Sequence, residues 1–195
     1  MIILFQISKI KGSFQMQENI KEEVFSWIRT ILFALMIAFL FRHFLFTPSI
    51  VHGESMAPTF HENDKLIVSK ISEIQRLDTI VFDAPDADEH YVKRVIGLPG
   101  DRIEMKDDVL YINGKPMEEP YLEVEDEGIP FEKLTGDFTL EELTGVSSVP
   151  KGTLFVLGDN RLNSKDSRYF GFITEESVLG EVKFRIYPFK EIGIP

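Results

Sequence analysis

The sequence contains no cysteine, which removes disulfides, thiolate metal centres and a cysteine nucleophile together. Basic residues are scarce as well: 21 lysines and arginines stand against 32 carboxylates, a formal net charge of −11. Polyanions are held by basic surfaces, so nucleic acid is not expected as a partner. No histidine follows His90. Long apolar runs are also absent, with one exception near the N-terminus. A chain of 195 residues has room for one domain with a substantial core plus an anchor or a small subdomain.

The exception is 27–46, hydrophobic all round from Ile31 and Leu32 to Leu40 and Phe41. A helix of this length reaches roughly 30 Å at 1.5 Å per residue, enough to cross a bilayer. Arg29, Arg42 and His43 lie close enough to its ends to snorkel, and Trp27 fits an aromatic belt. A cleavable signal peptide needs a small-x-small site after its apolar run, and Thr47-Pro48-Ser49-Ile50 is a poor one. Lys9, Lys11, Lys21 and Arg29 precede the run, whereas no lysine follows it until Lys65. The positive-inside rule therefore predicts a cytoplasmic tail over 1–26, a single anchor over 27–46 and an extracytoplasmic remainder. The apolar patch from Ile2 to Phe5 is too short to span, and Met16 is a second candidate start.

After Ser49 the pattern changes to short β-type runs separated by Gly, Pro, Asn and Asp. Lys65 to Val68, Thr79 to Phe82, Tyr91 to Ile96, Val109 to Ile112, Thr153 to Leu157 and Val182 to Tyr187 all read as strands. Asn113-Gly114 is a strong two-residue hairpin signal, since both positions tolerate a positive φ. The expected fold is thus mainly β: an N-terminal transmembrane helix, then an antiparallel β core over 47–101 and 150–195 with a smaller β-rich insertion over 102–149. Glu118 to Glu142 reads as an acidic, solvated loop, with Glu123, Glu125, Asp126 and Glu127 in one cluster and no EF-hand spacing.

Three segments carry candidate chemistry. In Gly53-Glu54-Ser55-Met56-Ala57-Pro58-Thr59, a serine stands in a turn-rich stretch. In Tyr91-Val92-Lys93-Arg94-Val95-Ile96, a lysine shares a strand face with Tyr91 and Val95. An apolar neighbourhood of that kind lowers a lysine pKa. At its free pKa of ~10.4, lysine is neutral only about once in 2,500 molecules at pH 7, and a base must be neutral to act. The third segment, Gly158 to Arg168, is dense in Asn, Asp, Ser and Arg, which bond their own backbone in tight loops. Read singly, each has an ordinary structural explanation.

In this order behind an apolar run, and with Thr79-Ile80-Val81-Phe82 between the first two, the segments resemble the signature of type I signal peptidases, in their shorter single-span Gram-positive form. The resemblance runs from the anchor to about Tyr187. It implies a Ser-Lys serine endopeptidase with Ser55 as nucleophile, Lys93 as general base and an acyl-enzyme intermediate. It further implies that Ser164 orients the lysine amine and that Asp159, Asp166 and Arg168 hold their loop, with an Asp166 to Arg168 salt bridge. Arg94 supports rather than reacts, Met56 lines the apolar floor, and the Ser55 N–H is the oxyanion donor. The implied substrates are signal-peptide-bearing preproteins cut after small-x-small sites beside the lipid bilayer, with no metal or cofactor.

Two positions depart from the family pattern. Gly53, an expected substrate-binding position, stands where many members carry a serine whose hydroxyl helps the oxyanion hole, so the hole must lean on backbone or water. Leu77 stands where the family often has glycine, with no consequence expected for the chemistry.

Rival readings fare worse. Gly53 to Ala57 approximates the G-x-S-x-G elbow, but Pro58 discourages the helix it needs and a late histidine is absent. A Ser-x-x-Lys spacing, Ser8 to Lys11, precedes the anchor. A self-cleaving DNA-binding repressor conflicts with the anchor and the acidic charge. A tethered peptide-binding module without catalysis would leave Lys93 far from Ser55, whereas an enzyme needs about 2.6 to 3.2 Å between amine and hydroxyl.

Overall fold

The structure, a computed structural model, describes residues 22–40, 42, 44–122 and 133–194. The tail over 1–21 and the cluster of Glu123, Glu125, Asp126 and Glu127 lie outside these residues. The chain divides into two compact units, Met1–Leu45 and Phe46–Pro195.

Helix α1, Glu22–Leu40, dominates the first unit and is long and apolar enough to cross a membrane. Phe25, Trp27, Leu32, Leu35 and Phe39 are all exposed on it. It begins earlier than the hydrophobic run suggests, and Phe46 does not end it but opens strand β1, Phe46–Ile50. Proline explains that switch. Pro48 pushes the residue before it into extended backbone and lacks an N–H, which suits the edge of a sheet.

In the second unit β1 is an edge of a seven-stranded sheet ordered β1-β2-β11-β3-β4-β9-β10. Its other strands are β2, Lys65–Ser69, β3, Thr79–Asp83, β4, His90–Gly97, β9, Thr153–Leu157, β10, Ile173–Thr174, and β11, Val178–Tyr187. A four-stranded sheet follows the order β7-β6-β5-β8, from β5, Ile103–Lys106, β6, Val109–Ile112, β7, Lys115–Met117, and β8, Phe138–Thr139. Every pairing is antiparallel. The mainly antiparallel β reading therefore holds. Its missed strands are short or, like β1 and β7, contain proline.

Alternation along the strands builds the cores. Ile80 and Phe82 of β3 join Val95, Leu154 and Val156 on one side, whereas Val81 joins Met56, Phe60, Leu66 and Val92 on the other. The small sheet turns Ile103, Met105, Leu110 and Ile112 inward onto Ile96, Phe155 and Leu157 of the large one. The two sheets thus share a core. Asn113 and Gly114 have φ of 55° and 77° and join β6 to β7 as the hairpin signal requires.

The described parts of the stretch from Glu118 to Glu142 are not all the solvated loop its charge suggests. Glu119 has a side chain only 7% exposed, paired with Arg161. Further on, Phe138–Thr139 is strand β8, and a capping box between Thr139 and Glu142 starts helix α2, Leu140–Thr144. Composition registers the charges but not the buried arginine that one of them meets.

Candidate active site

Three pieces of chain converge around the middle of β4. The turn after β1 is fixed by the Val51 N–H donating to the Asp64 carbonyl at 2.9 Å and the Phe60 N–H donating to the Met56 carbonyl at 2.9 Å. It buries Met56 and Phe60 and leaves Ser55 at the surface of that core. Strand β4 supplies Lys93 and Arg94. The loop after β9 supplies Gly158 to Asp166, and the short helix α3, Ser167–Phe170, closes it with Asp166 as its N-cap.

Lys93 Nζ lies 2.7 Å from Ser55 Oγ, inside the range an acid-base pair needs and far from the gap a passive module would leave. The amine also donates to the Val92 carbonyl at 3.0 Å and sits 5.2 Å from the centre of the Tyr91 ring. Lys93 is 3% exposed, and burial drives its pKa down to about 8, against smaller upward pulls from Asp166 and Asp159. Desolvation thus outweighs the attraction of two carboxylates.

Each of those carboxylates has its own arginine. Asp159 is gripped at both oxygens by Arg94, Nε to Oδ1 at 2.9 Å and Nη2 to Oδ2 at 2.6 Å. Asp166 is gripped the same way by Arg168, at 2.9 and 2.8 Å. The Asp166 to Arg168 pair is the salt bridge named from the sequence. Pairing offsets much of the field each carboxylate would exert on the lysine. Asp166 also accepts from the Gly158 N–H at 3.0 Å, and Thr59 donates to Asp159 at 2.6 Å, tying the Ser55 turn to the loop.

Ser164 is 8% exposed and, among the described residues, its hydroxyl makes no hydrogen bond. It lies beside Gly158, where a Cβ would stand 2.1 Å from Ser164 Oγ and 2.4 Å from the Ser55 carbonyl oxygen. Only glycine fits there. Gly53 has φ of +75° with open space where its Cβ would be, so backbone conformation rather than crowding favours glycine. Leu77 takes φ of 71°, a left-handed conformation that costs a branched residue about 1–2 kcal/mol. That cost accounts for glycine suiting this position. The Leu77 carbonyl accepts from Arg94 Nη1 at 2.8 Å, so this turn helps orient the arginine.

A cavity of about 180 Å³ opens at the pair, lined by Val51, Ser55, Met56, Tyr91, Val92 and Lys93 among others. Across its mouth Lys165 pairs with Asp86 of the β3–β4 connection. Among the described residues, no group of His, Asp and Glu is arranged to hold a metal ion.

Residues 24–187 match the family described as Signal peptidase, peptidase S26. The chain belongs to that family. Among curated members, Signal peptidase I of Bacillus caldolyticus is 51% identical over 164 residues, covering 82% of this chain and 90% of its own. Signal peptidase IB of Staphylococcus aureus is 41% identical over 179 residues, covering 88% and 93%. The crystal structure of a signal peptidase I from Enterococcus faecalis superposes with a TM-score of 0.54 at 48% identity, covering 57% of this chain and 97% of that one.

Several residues that shape the site of this signal peptidase family member escaped the sequence reading. Thr59 and Gly158 lie inside the quoted motifs, but their roles depend on partners far along the chain. Asn160 donates to the Ser55 carbonyl at 3.1 Å. Arg161, Glu119 and Tyr121 form a buried cluster with no local sequence signal.

Proposed function

We propose that this chain is a membrane-anchored serine endopeptidase that removes signal peptides from exported preproteins, with Ser55 as nucleophile and Lys93 as general base. The observation that carries this reading is the 2.7 Å approach of the Lys93 amine to the Ser55 hydroxyl, in surroundings that lower the amine's pKa to about 8. Family membership supplies the substrate class. At pH 7 such a lysine is neutral in about a tenth of molecules, about 200 times more often than a free one.

In the neutral state the Nζ lone pair takes the Ser55 Oγ proton while Oγ bonds to the scissile carbonyl carbon. The carbonyl oxygen gains the negative charge and accepts from the Ser55 N–H. As the tetrahedral intermediate collapses, the carbon–nitrogen bond breaks and the Lys93 ammonium returns its proton to the departing amine. The acyl group left on Oγ is then hydrolysed by a water whose proton passes to Lys93. Ser164 would orient the amine by a hydrogen bond formed during this cycle; in the resting structure its buried hydroxyl makes none among the described residues, and the amine meets Ser55 and the Val92 carbonyl instead. Asp159, Asp166, Arg94 and Arg168 keep the two loops in place.

Cleavage follows small-x-small sequences. The cavity of about 180 Å³, lined by Met56 among others, has room for small side chains. Helix α1 anchors the chain with its N-terminus cytoplasmic and the β unit extracytoplasmic, beside the bilayer where such substrates emerge.

Incubating a solubilised preprotein with the wild type, Ser55→Ala and Lys93→Ala tests this directly. Cleavage by the wild type alone is expected. Full processing by either variant would remove the assignment.

A further inference from the structure

Arg161 is a second buried cation close to the site, and the dyad mechanism does not use it. Its side chain is 0% exposed, in the loop that carries Asp159 and Ser164. A fully desolvated guanidinium persists only with a counter-charge and complete hydrogen bonding. Both come from the far end of the small sheet. Glu119, just past β7, pairs with Arg161 Nη2 through Oε1 and accepts from Nη1 through Oε2 at 3.4 Å. The Tyr121 hydroxyl donates to Glu119 Oε1 at 2.6 Å and receives Arg161 Nη2 at 3.3 Å. Thr135, shortly before β8, receives Nη1 at 3.2 Å.

The other edge of this cluster touches the reacting groups' supports. Arg161 Nε donates to the Gly158 carbonyl at 3.0 Å. Gly158 is the residue packed against the Ser55 backbone and Ser164. One residue before Arg161, Asn160 donates from its backbone to the Ser55 carbonyl and from its side chain to the Glu54 carbonyl, each at 3.1 Å. On the opposite flank the Tyr121 ring lies 3.9 Å from the Arg94 guanidinium carbon, a stacked cation contact. Arg94 holds Asp159, and Asp159 holds Thr59, four residues beyond the nucleophile. Two tethers therefore run from residues 119 and 121 to either side of Ser55.

We propose that Glu119 and Tyr121 are positioning residues for the Ser55–Lys93 pair, acting through Arg161 and Arg94, so that the segment following β7 sets the geometry of a site it does not touch. The inference rests on Ser55 and Lys93 being the catalytic pair. Its signature is a loss in turnover without a loss in substrate affinity, because neither residue lines the cavity beside Ser55.

The test uses the full chain in detergent micelles with a preprotein substrate, and measures kcat and KM for wild type, Glu119→Ala, Glu119→Gln, Tyr121→Leu and Ser55→Ala. Rates are normalised to the folded fraction read by near-UV circular dichroism. Glu119→Ala and Tyr121→Leu should lower kcat by about 10- to 100-fold, the effect of a displacement of about 1 Å at a reacting group, with KM within about twofold. Added acetate should restore part of kcat in Glu119→Ala and none in Tyr121→Leu. If Glu119→Ala does not fold, Glu119→Gln, equal in size and retaining one acceptor, gives the same split. Wild-type kcat per folded molecule in these variants, or a change in KM alone, overturns the proposal. If Ser55→Ala cleaves as well as wild type, the fault lies in the catalytic pair beneath it; if Ser55→Ala is inactive while the Glu119 and Tyr121 variants are normal, this inference alone fails.

Discussion

At the scale of the residue, Lys93 sets activity against stability. Its pKa is about 8 in the fold and ~10.4 in an unfolded chain. Below pH 8 both states are protonated, and the fold bears the full cost of a buried charge, about 3 kcal/mol. Between pH 8 and 10.4 the unfolded chain holds the extra proton, so stability from this group rises with pH and the cost disappears above that window. Lys93→Met should therefore stabilise the protein against urea by up to about 3 kcal/mol at pH 7, the gain fading by pH 10.4, while abolishing cleavage. In the wild type, the pH profile of kcat/KM should climb through a midpoint near pH 8; a rate flat from pH 6 to 10 would be incompatible with a lysine base. Gly158 gives a sharper residue-scale prediction. A methyl there meets the Ser55 carbonyl oxygen at 2.4 Å, so Gly158→Ala should cut kcat by at least about 100-fold in steady-state assays.

At the scale of the element, the loop after β9 and helix α3 act as a clamp whose charges are paired off. Asp166 is 0% exposed and meets the Gly158 N–H, the Arg168 N–H and the Arg168 guanidinium. Arg168→Gln would strand a buried carboxylate. Such a break costs about 3 kcal/mol or more, measurable as a lower urea midpoint. The freed Asp166 would also attract the lysine proton more strongly, because it already pulls the Lys93 pKa upward. The rate midpoint should then move to higher pH, and adding Asp166→Asn should bring it back down. Some local features were legible beforehand: the Asp166 to Arg168 pair is implied by the family resemblance, and the Asn113-Gly114 hairpin follows from φ preferences alone. The Arg94 to Asp159 pair was not legible, since the partners are 65 positions apart and only the pairing of β4 with β9 unites them. Glu119 was misread for a related reason: an acidic run looks solvated unless its buried cation is known.

At the scale of the whole molecule, an apolar helix precedes a β unit with its own shared core. The distribution of lysines on either side of 27–46 predicts which face of the membrane each part occupies. A reporter fused after Pro195 should be active only outside the cytoplasm, and protease added to intact spheroplasts should digest the β unit; a cytosolic reporter would refute the orientation. The acidic surplus of the chain predicts that non-specific binding to nucleic acid is negligible at physiological salt.

The sequence by itself determined the apolar helix, the antiparallel strands with their alternating faces, and the identity of Ser55 and Lys93 as residues worth watching. Those features depend on periodicity, turn chemistry and motif order, all of which act over a few neighbouring residues. Tertiary structure alone decided that Lys93 is dry enough for a pKa of about 8, that Ser55 stands 2.7 Å from it, and that Glu119 and Tyr121 reach the same loops. Desolvation and hydrogen-bond distance are properties of what surrounds a side chain, and those surroundings come from strands and loops far apart in the chain.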